Sequence, residues 1–417
     1  MRHCLLLIIA YWMLFPINSS ACTSAIIPGW ATADGRPLMW KHRDTGEQDN
    51  RLEHFKGEKY SFIGLVNSHE GNRGREVWIG SNTSGFSIMN TASYCLNEDT
   101  VPSSEMDMEG VLMYRALEIC ASLSDFEHFL DTLTRPMGVE ANFGCIDAFG
   151  GAAYYETRND GYVKRDVNSL SDGYCVVTNF SISGRREDWK GYERFLTASE
   201  ILGRQSKVSN RFARMSPLDI MDSLSRSYEH TVLGIDLISS SEAFLKNTSG
   251  VVVDQDFIPR RITSASVVIQ GAAQGKSSSE IVIWAALGYP SCAVMVPVPV
   301  SDDDTIPTCM KRSDTSDNCK VCDLSLYLKS EYIFNQHDMS NGNSYMDMHY
   351  ILRGKNGRPS LLECSRNAEK SISSEFMELY EDYLDGEVSY TNYIKGYRLI
   401  SESFMEIIEN SFFTYYK

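Results

Sequence analysis

Apolar residues that alternate with polar ones over the first hundred positions predict a series of short β-strands. Turn-forming residues separate them, as in Ala33-Asp34-Gly35-Arg36-Pro37. The predicted strands are 23–28, 38–44, 60–66, 77–80 and 86–90. From Met106 to about Leu133 the apolar spacing becomes helical, with Leu112 and Ala116 on one face.

The same two periods recur further along the chain. Predicted strands are 143–149, 152–158, 162–165, 174–180, 264–270, 280–287 and 292–299, and predicted helices are 187–202, 217–228, 324–334, 375–384 and 390–415. Strands and helices come in runs and do not alternate as in βαβ units. The pattern therefore predicts an α+β layered fold.

The first 21 residues have the pattern of a secretion signal. Arg2 is followed by an apolar run over 4–15, and the small residues Ser19 and Ala21 occupy cleavage-site positions. The run is too short for a comfortable membrane span, which needs about 20 residues. We therefore expect cleavage between Ala21 and Cys22, a secreted or periplasmic protein, and no membrane span.

Cleavage there would make Cys22 the first residue of the mature chain. A thiol attacks an amide as the thiolate, so a base must take its proton. An α-amine has an ordinary pKa of about 7.7–8.0, close to the thiol value of about 8.5, and is a suitable base near neutral pH. Cys22 would then carry the nucleophile and the general base on one residue.

Composition narrows the classes of partner. The formal net charge of −16 over 417 residues argues against a nucleic-acid partner, which requires clustered Lys and Arg. Eleven cysteines, less Cys4 of the signal and Cys22, leave nine, so at least one thiol stays unpaired. Cys319 and Cys322 could suggest zinc, but a second ligand pair is missing, and a local disulfide is favoured.

The segment from Ser301 to Cys322 changes composition, with three consecutive aspartates and three cysteines. We interpret it as an exposed excursion from the core. The predicted division is a signal peptide over 1–21, a main domain over 22–300, the Cys/Asp-rich excursion over 301–323, and a helical C-terminal extension over 324–417, packed on the core.

Several motifs, met in a fixed order, resemble one enzyme superfamily. They are Cys22-Thr23, Ala33-Asp34-Gly35, Trp40-Lys41-His42-Arg43-Asp44, Asn82-Thr83-Ser84-Gly85-Phe86 with Asn90, Val177-Thr178-Asn179-Phe180, and Tyr192-Glu193-Arg194-Phe195. Together they are similar to motifs of the cysteine N-terminal-nucleophile hydrolases, which cleave linear amides. The groups concerned are choloylglycine hydrolase with penicillin V acylase, and the acyl-CoA:6-aminopenicillanic-acid acyltransferase-like family. The resemblance covers roughly 22–300.

The resemblance implies a four-layer αββα sandwich and a role for each matched residue. Cys22 would attack the amide, and Asp44 would hold its amine. Asn179 and the backbone of Asn90 would bind the oxyanion, and Arg194 would support the site electrostatically. No metal or cofactor is implied. The partner would be a small-molecule amide, and homo-oligomerisation is left open.

The chain departs from the family pattern next to Asp44. Lys41 stands where these enzymes usually carry arginine, and His42 where they carry asparagine. Lysine does not reproduce a planar bidentate contact. Arg43 would supply the guanidinium if the register slips by two residues.

Other readings remain open. A dipeptidase on the same fold would keep Cys22 and Asp44, and a lipid-anchored binding protein would use Cys22 only for attachment. The choice among bile-salt conjugates, penicillin V, N-acyl amino acids and short peptides is open too, as is acyl transfer in place of hydrolysis.

Overall fold

A computed structural model describes residues 21–69, 75–96, 100–209, 215–254, 256–314, 316–335, 344–355 and 357–416. The predicted signal peptide lies outside these residues except for Ala21. The strands are β1 (Ala21–Ile27), β2 (Leu38–Asp44), β3 (Asn50–Lys56), β4 (Ser61–Asn67), β5 (Ile79–Asn82), β6 (Ser87–Ala92), β7 (Ala141–Ile146), β8 (Ala152–Arg158), β9 (Gly161–Asp166), β10 (Cys175–Val177), β11 (Glu229–His230), β12 (Ile235–Asp236), β13 (Val251–Val253), β14 (Thr263–Gln270), β15 (Val282–Leu287), β16 (Val296–Pro299) and β17 (Tyr345–Asp347).

The helices alternate with these strands in blocks. They are α1 (Glu109–Ile119), α2 (Leu123–Thr132), α3 (Tyr192–Ser209), α4 (Pro217–Ile220), α5 (Ser241–Asn247), α6 (Lys320–Leu328), α7 (Met348–Leu352), α8 (Leu361–Leu384), α9 (Tyr390–Ser401) and α10 (Phe404–Phe413). One turn of π-helix follows α4 at Met221–Ser225, and another follows α6 at Lys329–Ile333.

Two antiparallel sheets form the centre of the molecule. One has the strand order β10-β1-β2-β14-β15-β16, and the other has the order β3-β4-β5-β6-β7-β8-β9. They face each other through contacts such as those of β1 with β6 and β8. Helices α1 and α2 cover the outer face of the seven-stranded sheet, while α3 and α8 pack by the six-stranded sheet. The predicted α+β, αββα architecture is confirmed.

The C-terminal helices pack directly on the six-stranded sheet. Phe376 of α8 meets Trp284 of β15 edge-on, with ring centroids 5.5 Å apart. Tyr397 of α9 donates a hydrogen bond of 2.6 Å to the carbonyl of Pro297 on β16. Their aromatic side chains therefore form a core between the helices and the outer face of this sheet.

Helix boundaries differ from the sequence prediction where a polar side chain caps a new helix. The predicted helix over 106–133 is two helices, because Ser122 and Asp125 form a reciprocal capping box that starts α2. The predicted helix over 390–415 is also divided, into α9 and α10, but Ser403 before α10 makes no side-chain capping hydrogen bond. Strand β3 was not predicted, since it is an edge strand whose sequence shows no regular alternation.

The segment over 301–323 is only partly exposed. Asp302, Asp303 and Asp304 face solvent, but Cys309, Cys319 and Cys322 are buried in the core. The prediction that this stretch leaves the core is therefore wrong for its cysteines. The predicted local disulfide is absent too: every cysteine from Cys22 to Cys364 in the described ranges is a free thiol.

Candidate active site

Cys22 occupies the second position of β1, and its residue is only 4% exposed. Across the antiparallel ladder Cys22 faces Arg43 of β2, and Ala21 faces Asp44. Two residues further, the Ser24 hydroxyl lies 2.9 Å from the Tyr154 hydroxyl on the opposite sheet. Because side chains alternate along a strand, the thiol of Cys22 also lies on the face between the sheets.

Lys41 lies on the same inter-sheet face and joins β2 to the other sheet. Its Nζ donates to Oδ1 of Asn90 at 2.6 Å and to the carbonyl of Trp78 at 2.7 Å. Burial lowers the pKa of Lys41 to about 8, and the charge at Cys22 opposes that shift. The β1–β2 register runs without a break and pairs Lys41 with Ser24 and Arg43 with Cys22.

Arg43 is the second cationic side chain of this face. One terminal nitrogen donates to Oδ1 of Asn67 at 2.7 Å, and the guanidinium carbon lies 5.0 Å from the Trp78 ring centroid. The other terminal nitrogen, Nη1, is buried and has no hydrogen-bond partner among the described residues. Nε1 of Trp78 is also buried and has no hydrogen-bond partner among the described residues. Burial lowers the pKa of Arg43 to about 10, so its charge persists at neutral pH.

Arg194, in the first turn of α3, connects two of the predicted site residues. Its Nη1 donates to the carbonyl of Cys22 at 2.8 Å and to the hydroxyl of Thr23 at 2.6 Å. Its Nη2 donates to Oδ1 of Asn179 at 2.7 Å. Burial, followed by the charge of Arg260, lowers the pKa of Arg194 to about 10, which leaves it cationic.

Asn179 is held by both ends of its side-chain amide. Its oxygen accepts from Arg194, and its Nδ2 donates to the carbonyl of Ala92 at 3.0 Å. An amide nitrogen carries two hydrogens, and this contact uses one of them. The fixed orientation of the amide therefore leaves a donor direction for a further acceptor.

Asp44 lies on the opposite face of β2, in a closed hydrogen-bond network. Its Oδ1 accepts from the Thr263 hydroxyl at 2.6 Å, and its Oδ2 forms an ion pair with Arg260. Burial disfavours the carboxylate, but the charges of Arg260, His42 and Arg194 and the Thr263 hydrogen bond outweigh it and lower the pKa of Asp44. Asp44 is therefore ionised at neutral pH.

His42 belongs to this network and not to the inter-sheet face. Its ring nitrogens lie 2.8 Å from the Ser266 hydroxyl and 3.1 Å from the Thr263 hydroxyl. Burial lowers the pKa of His42 to about 4, against the favourable charge of Asp44. The ring is thus neutral near pH 7 and helps to orient Thr263.

The structure brings the five predicted residues into one region. Arg194 joins Cys22 to Asn179, Lys41 joins Asn90 to the same face, and Asp44 pairs with the residue before Cys22. Three contributors were not singled out in the sequence: Arg260, Thr263 and Trp78. The adjacent residues Arg260 and Arg261 before β14 were only a weak sequence signal for Arg260. Its contact with Asp44 depends on the pairing of β2 with β14, which the sequence does not show.

A cavity of about 620 Å³ adjoins the end of β2. Its wall includes Gly46 and Gln48, which closely follow Asp44, and Ile262, which precedes Thr263. This volume is within the range of small-molecule pockets. No group of three or more potential metal ligands occurs in the described ranges. None of the helices described there is both long enough and apolar enough to span a bilayer.

No protein-family model matches the chain, and no curated protein sequence matches it. Solved structures with a similar fold include the Caenorhabditis elegans ortholog of N-acylethanolamine-hydrolyzing acid amidase. It is 14% identical over 60% of this chain and 92% of that chain, with a TM-score of 0.39.

Two bacterial structures are similar to a comparable degree. A variant of the conjugated bile acid hydrolase from Clostridium perfringens is 9% identical over 68% of this chain and 94% of that chain, with a TM-score of 0.42. Penicillin V acylase from Agrobacterium tumefaciens is 11% identical over 67% and 86%, with a TM-score of 0.36. At these identities and TM-scores the likeness concerns the fold and fixes no activity for this chain.

Proposed function

We propose that the mature protein is a secreted cysteine N-terminal-nucleophile hydrolase. It would cleave a non-peptide linear amide, or transfer the acyl group, through a thioester on Cys22. The observation that carries the proposal is the pair of contacts made by Arg194, which holds the backbone of Cys22 and the amide of Asn179 in one arrangement. These contacts support the assignment of Cys22 as the nucleophile and Asn179 as an oxyanion donor, because one side chain holds both residues.

Activation would follow from removal of the signal peptide after Ala21. The freed α-amine of Cys22 takes the proton of its own thiol, and the thiolate attacks the amide carbonyl. Asp44 faces Ala21 across the ladder and is ionised, which supports the proposal that its carboxylate holds the resulting ammonium. The negative charge of Asp44 stabilises the Cys22 ammonium, which keeps its proton until it transfers the proton to the leaving amine.

The tetrahedral intermediate needs donors for its oxyanion. The second amide hydrogen of Asn179 supplies one, and the backbone of Asn90 is proposed as the other; a single such donor contributes about 3–4 kcal/mol. Collapse of the intermediate breaks the carbon–nitrogen bond, and the amine leaves with the proton from the ammonium of Cys22. Attack on the thioester by water completes hydrolysis, and attack by an amine completes acyl transfer.

The test is made on the exported protein and on its Cys22 variants. Mass spectrometry should show an unmodified Cys22 at the mature N-terminus. Cys22→Ala should reduce amidase activity on a panel of acyl amides by more than about a thousandfold, because the covalent step is lost. A thioester of Cys22 should be trapped on the native protein.

The matched control is Cys175→Ala on the neighbouring β10. Burial raises the pKa of that thiol to about 12, so it is protonated at neutral pH and should be dispensable for the reaction. A diacylated Cys22, as in a lipid-anchored binding protein, would refute the proposal. So would full activity of Cys22→Ala.

A further inference from the structure

Two buried N–H donors without hydrogen-bond partners among the described residues belong to neighbouring side chains near the proposed nucleophile, with the Arg43 guanidinium carbon 5.0 Å from the Trp78 ring centroid. Nη1 of Arg43 and Nε1 of Trp78 make no hydrogen bond within the described part of the chain. Buried donors are almost always satisfied, so a pair of exceptions at a candidate site requires an explanation. We propose that Arg43 and Trp78 bind an anionic group of the substrate, so that the amides cleaved here carry a carboxylate close to the scissile carbonyl. This inference rests on the proposed function.

The backbone places Arg43 beside the thiol. Arg43 and Cys22 are direct partners in the β1–β2 ladder, and such partners have Cβ atoms about 4.5–5.5 Å apart on one face. The Asn67 amide oxygen, at 2.7 Å, and the Trp78 ring fix the far end of the side chain. The guanidinium is therefore held rigidly, and its unpaired nitrogen does not depend on a flexible rotamer.

Charge around the thiol favours an anion over a neutral acceptor. Lys41 and Arg194 are buried cations that, like Arg43, interact electrostatically with Cys22. The carboxylate of Asp44 lies on the other face and is bound by Arg260. Glu47 and Glu76 act on Arg43 only at longer range, since no ion pair with either is found for it in the described ranges. A cationic patch in a chain of net charge −16 attracts and orients a carboxylate.

A guanidinium and an indole N–H together suit a carboxylate. Nη1 of Arg43 can donate to one carboxylate oxygen, and the indole N–H of Trp78 supplies a donor for the other. Lysine at the same position would offer one compact charge without the fork. The carboxylate could belong to the leaving amine, as in an N-acyl amino acid, or to the acyl part, as in a dicarboxylic acid monoamide.

The experiment compares charged probes with neutral ones that are otherwise alike. N-octanoylglycine against N-octanoylglycinamide tests the amine side, and glutaric acid N-methyl monoamide against N-methylpentanamide tests the acyl side. The native enzyme should have a higher kcat/KM for the charged member of one pair. Arg43→Gln should lower that ratio about 10- to 100-fold, because a hydrogen-bonded ion pair is lost. Trp78→Phe should lower it by about two- to tenfold.

Two controls carry the same chemical changes elsewhere. Among the described residues, Nε of Arg165 on β9 and Nε1 of Trp284 on β15 are also buried without a hydrogen-bond partner, although Arg165 forms an ion pair with Glu156 at 3.8 Å. Arg165→Gln and Trp284→Phe should leave the ratio unchanged. Arg43→Lys keeps the charge if Arg43→Gln does not fold, and it should lower the ratio to an intermediate degree. Because every variant is judged by a ratio of two substrates, an effect on the thiol itself cancels.

The outcomes separate this inference from the function on which it rests. Equal turnover of charged and neutral probes, or a ratio that survives Arg43→Gln, would overturn the anionic substrate while leaving the amidase in place. Failure of Cys22 to be acylated by any probe would overturn the amidase and this inference together.

Discussion

Two buried arginines in this molecule have opposite surroundings. Arg226, on the helical side of the six-stranded sheet, is fully buried and pairs with both carboxylate oxygens of Glu369, at 2.7 and 2.9 Å. It also donates to the carbonyls of Pro290 and Ala293. Arg43, between the sheets, is 4% exposed; it donates to the amide oxygen of Asn67 and lies over the ring of Trp78.

The pKa values follow this difference. Burial disfavours the charge of both side chains, but Glu369 and Asp222 reverse the effect and raise the pKa of Arg226, whereas the pKa of Arg43 falls to about 10. A satisfied buried ion pair is suited to holding elements together, here α8 against the loop between β15 and β16. A buried arginine without a carboxylate partner costs stability, and a protein retains it where a ligand supplies the missing anion. The comparison thus separates a structural arginine from a binding one.

The largest expected effect is on the free energy of unfolding, when the ion pair of Arg226 with Glu369 is broken. Glu369→Ala should lower the free energy of unfolding by about 3–5 kcal/mol, because it leaves Arg226 buried with only the half-exposed Asp222 as an ionic partner. It also removes the acceptor of the Met295 amide. Urea unfolding gives the free energy, and the rate per folded molecule should stay near the native value.

Glu378→Ala is the control for this variant, since Glu378 is exposed on the same helix. It should change the free energy of unfolding by less than about 0.5 kcal/mol. Equal stabilities of the two variants would mean that Arg226 does not depend on Glu369, and the contrast with Arg43 would disappear.

A smaller effect is expected from the buried lysine on the site side. With its pKa lowered from 10.5 to about 8, Lys41 holds its proton more weakly when folded than when unfolded. The unfolded chain therefore binds more protons between pH 8 and 10.5, and the stability contributed by this group rises with pH over that window. Below pH 8 the folded state bears the full penalty, about 3 kcal/mol.

Lys41→Met removes the titrating group and should abolish this part of the pH dependence. The measurement is the free energy of unfolding by urea at pH 7, 8, 9 and 10 for both proteins. The stability of the native protein relative to the variant should rise by up to about 3 kcal/mol as the pH rises. A constant difference across the series would show that Lys41 is not desolvated as its burial implies.

Sequence patterns predicted much of this fold because the informative residues are local. Strands β2 and β8 have the predicted bounds, since each is a run of strand-forming residues closed by turn residues. The split at Ser122 and the edge strand β3 were missed, because a capping hydrogen bond and an edge position depend on the folded arrangement.

The site divides in the same way. Cys22 could be proposed from a cleavage pattern, and Asp44, Asn90, Asn179 and Arg194 from the order of motifs. The ion pair of Arg260 with Asp44 joins residues 216 positions apart and needs the pairing of β2 with β14. Within the described ranges Arg43 and Trp78 each have a donor without a hydrogen-bond partner. This could not be predicted from the sequence, because it depends on how the folded chain packs around the two side chains.

The smallest expected effect concerns Arg43 itself and has the opposite sign to that of Glu369→Ala. Arg43→Met keeps much of the apolar stem against Trp78 but removes a buried charge that has no carboxylate partner in the described part of the chain. Replacing such a group by a hydrophobic residue of similar size often stabilises a protein, and we expect about 1–2 kcal/mol in urea unfolding, reduced by the loss of the Asn67 contact. Activity on a carboxylate-bearing amide should fall in the same variant.

A gain in stability together with a loss of activity would identify Arg43 as a residue retained for binding at a cost to the fold. The matched comparison is Arg226→Met, which should destabilise because it leaves the buried carboxylate of Glu369 unpaired. If Arg43→Met were destabilising to a similar extent, Arg43 would be structural like Arg226, and the distinction between the two arginines would be wrong. The signs of the two stability changes, for Arg43→Met and Arg226→Met, therefore decide the comparison without any knowledge of the natural substrate.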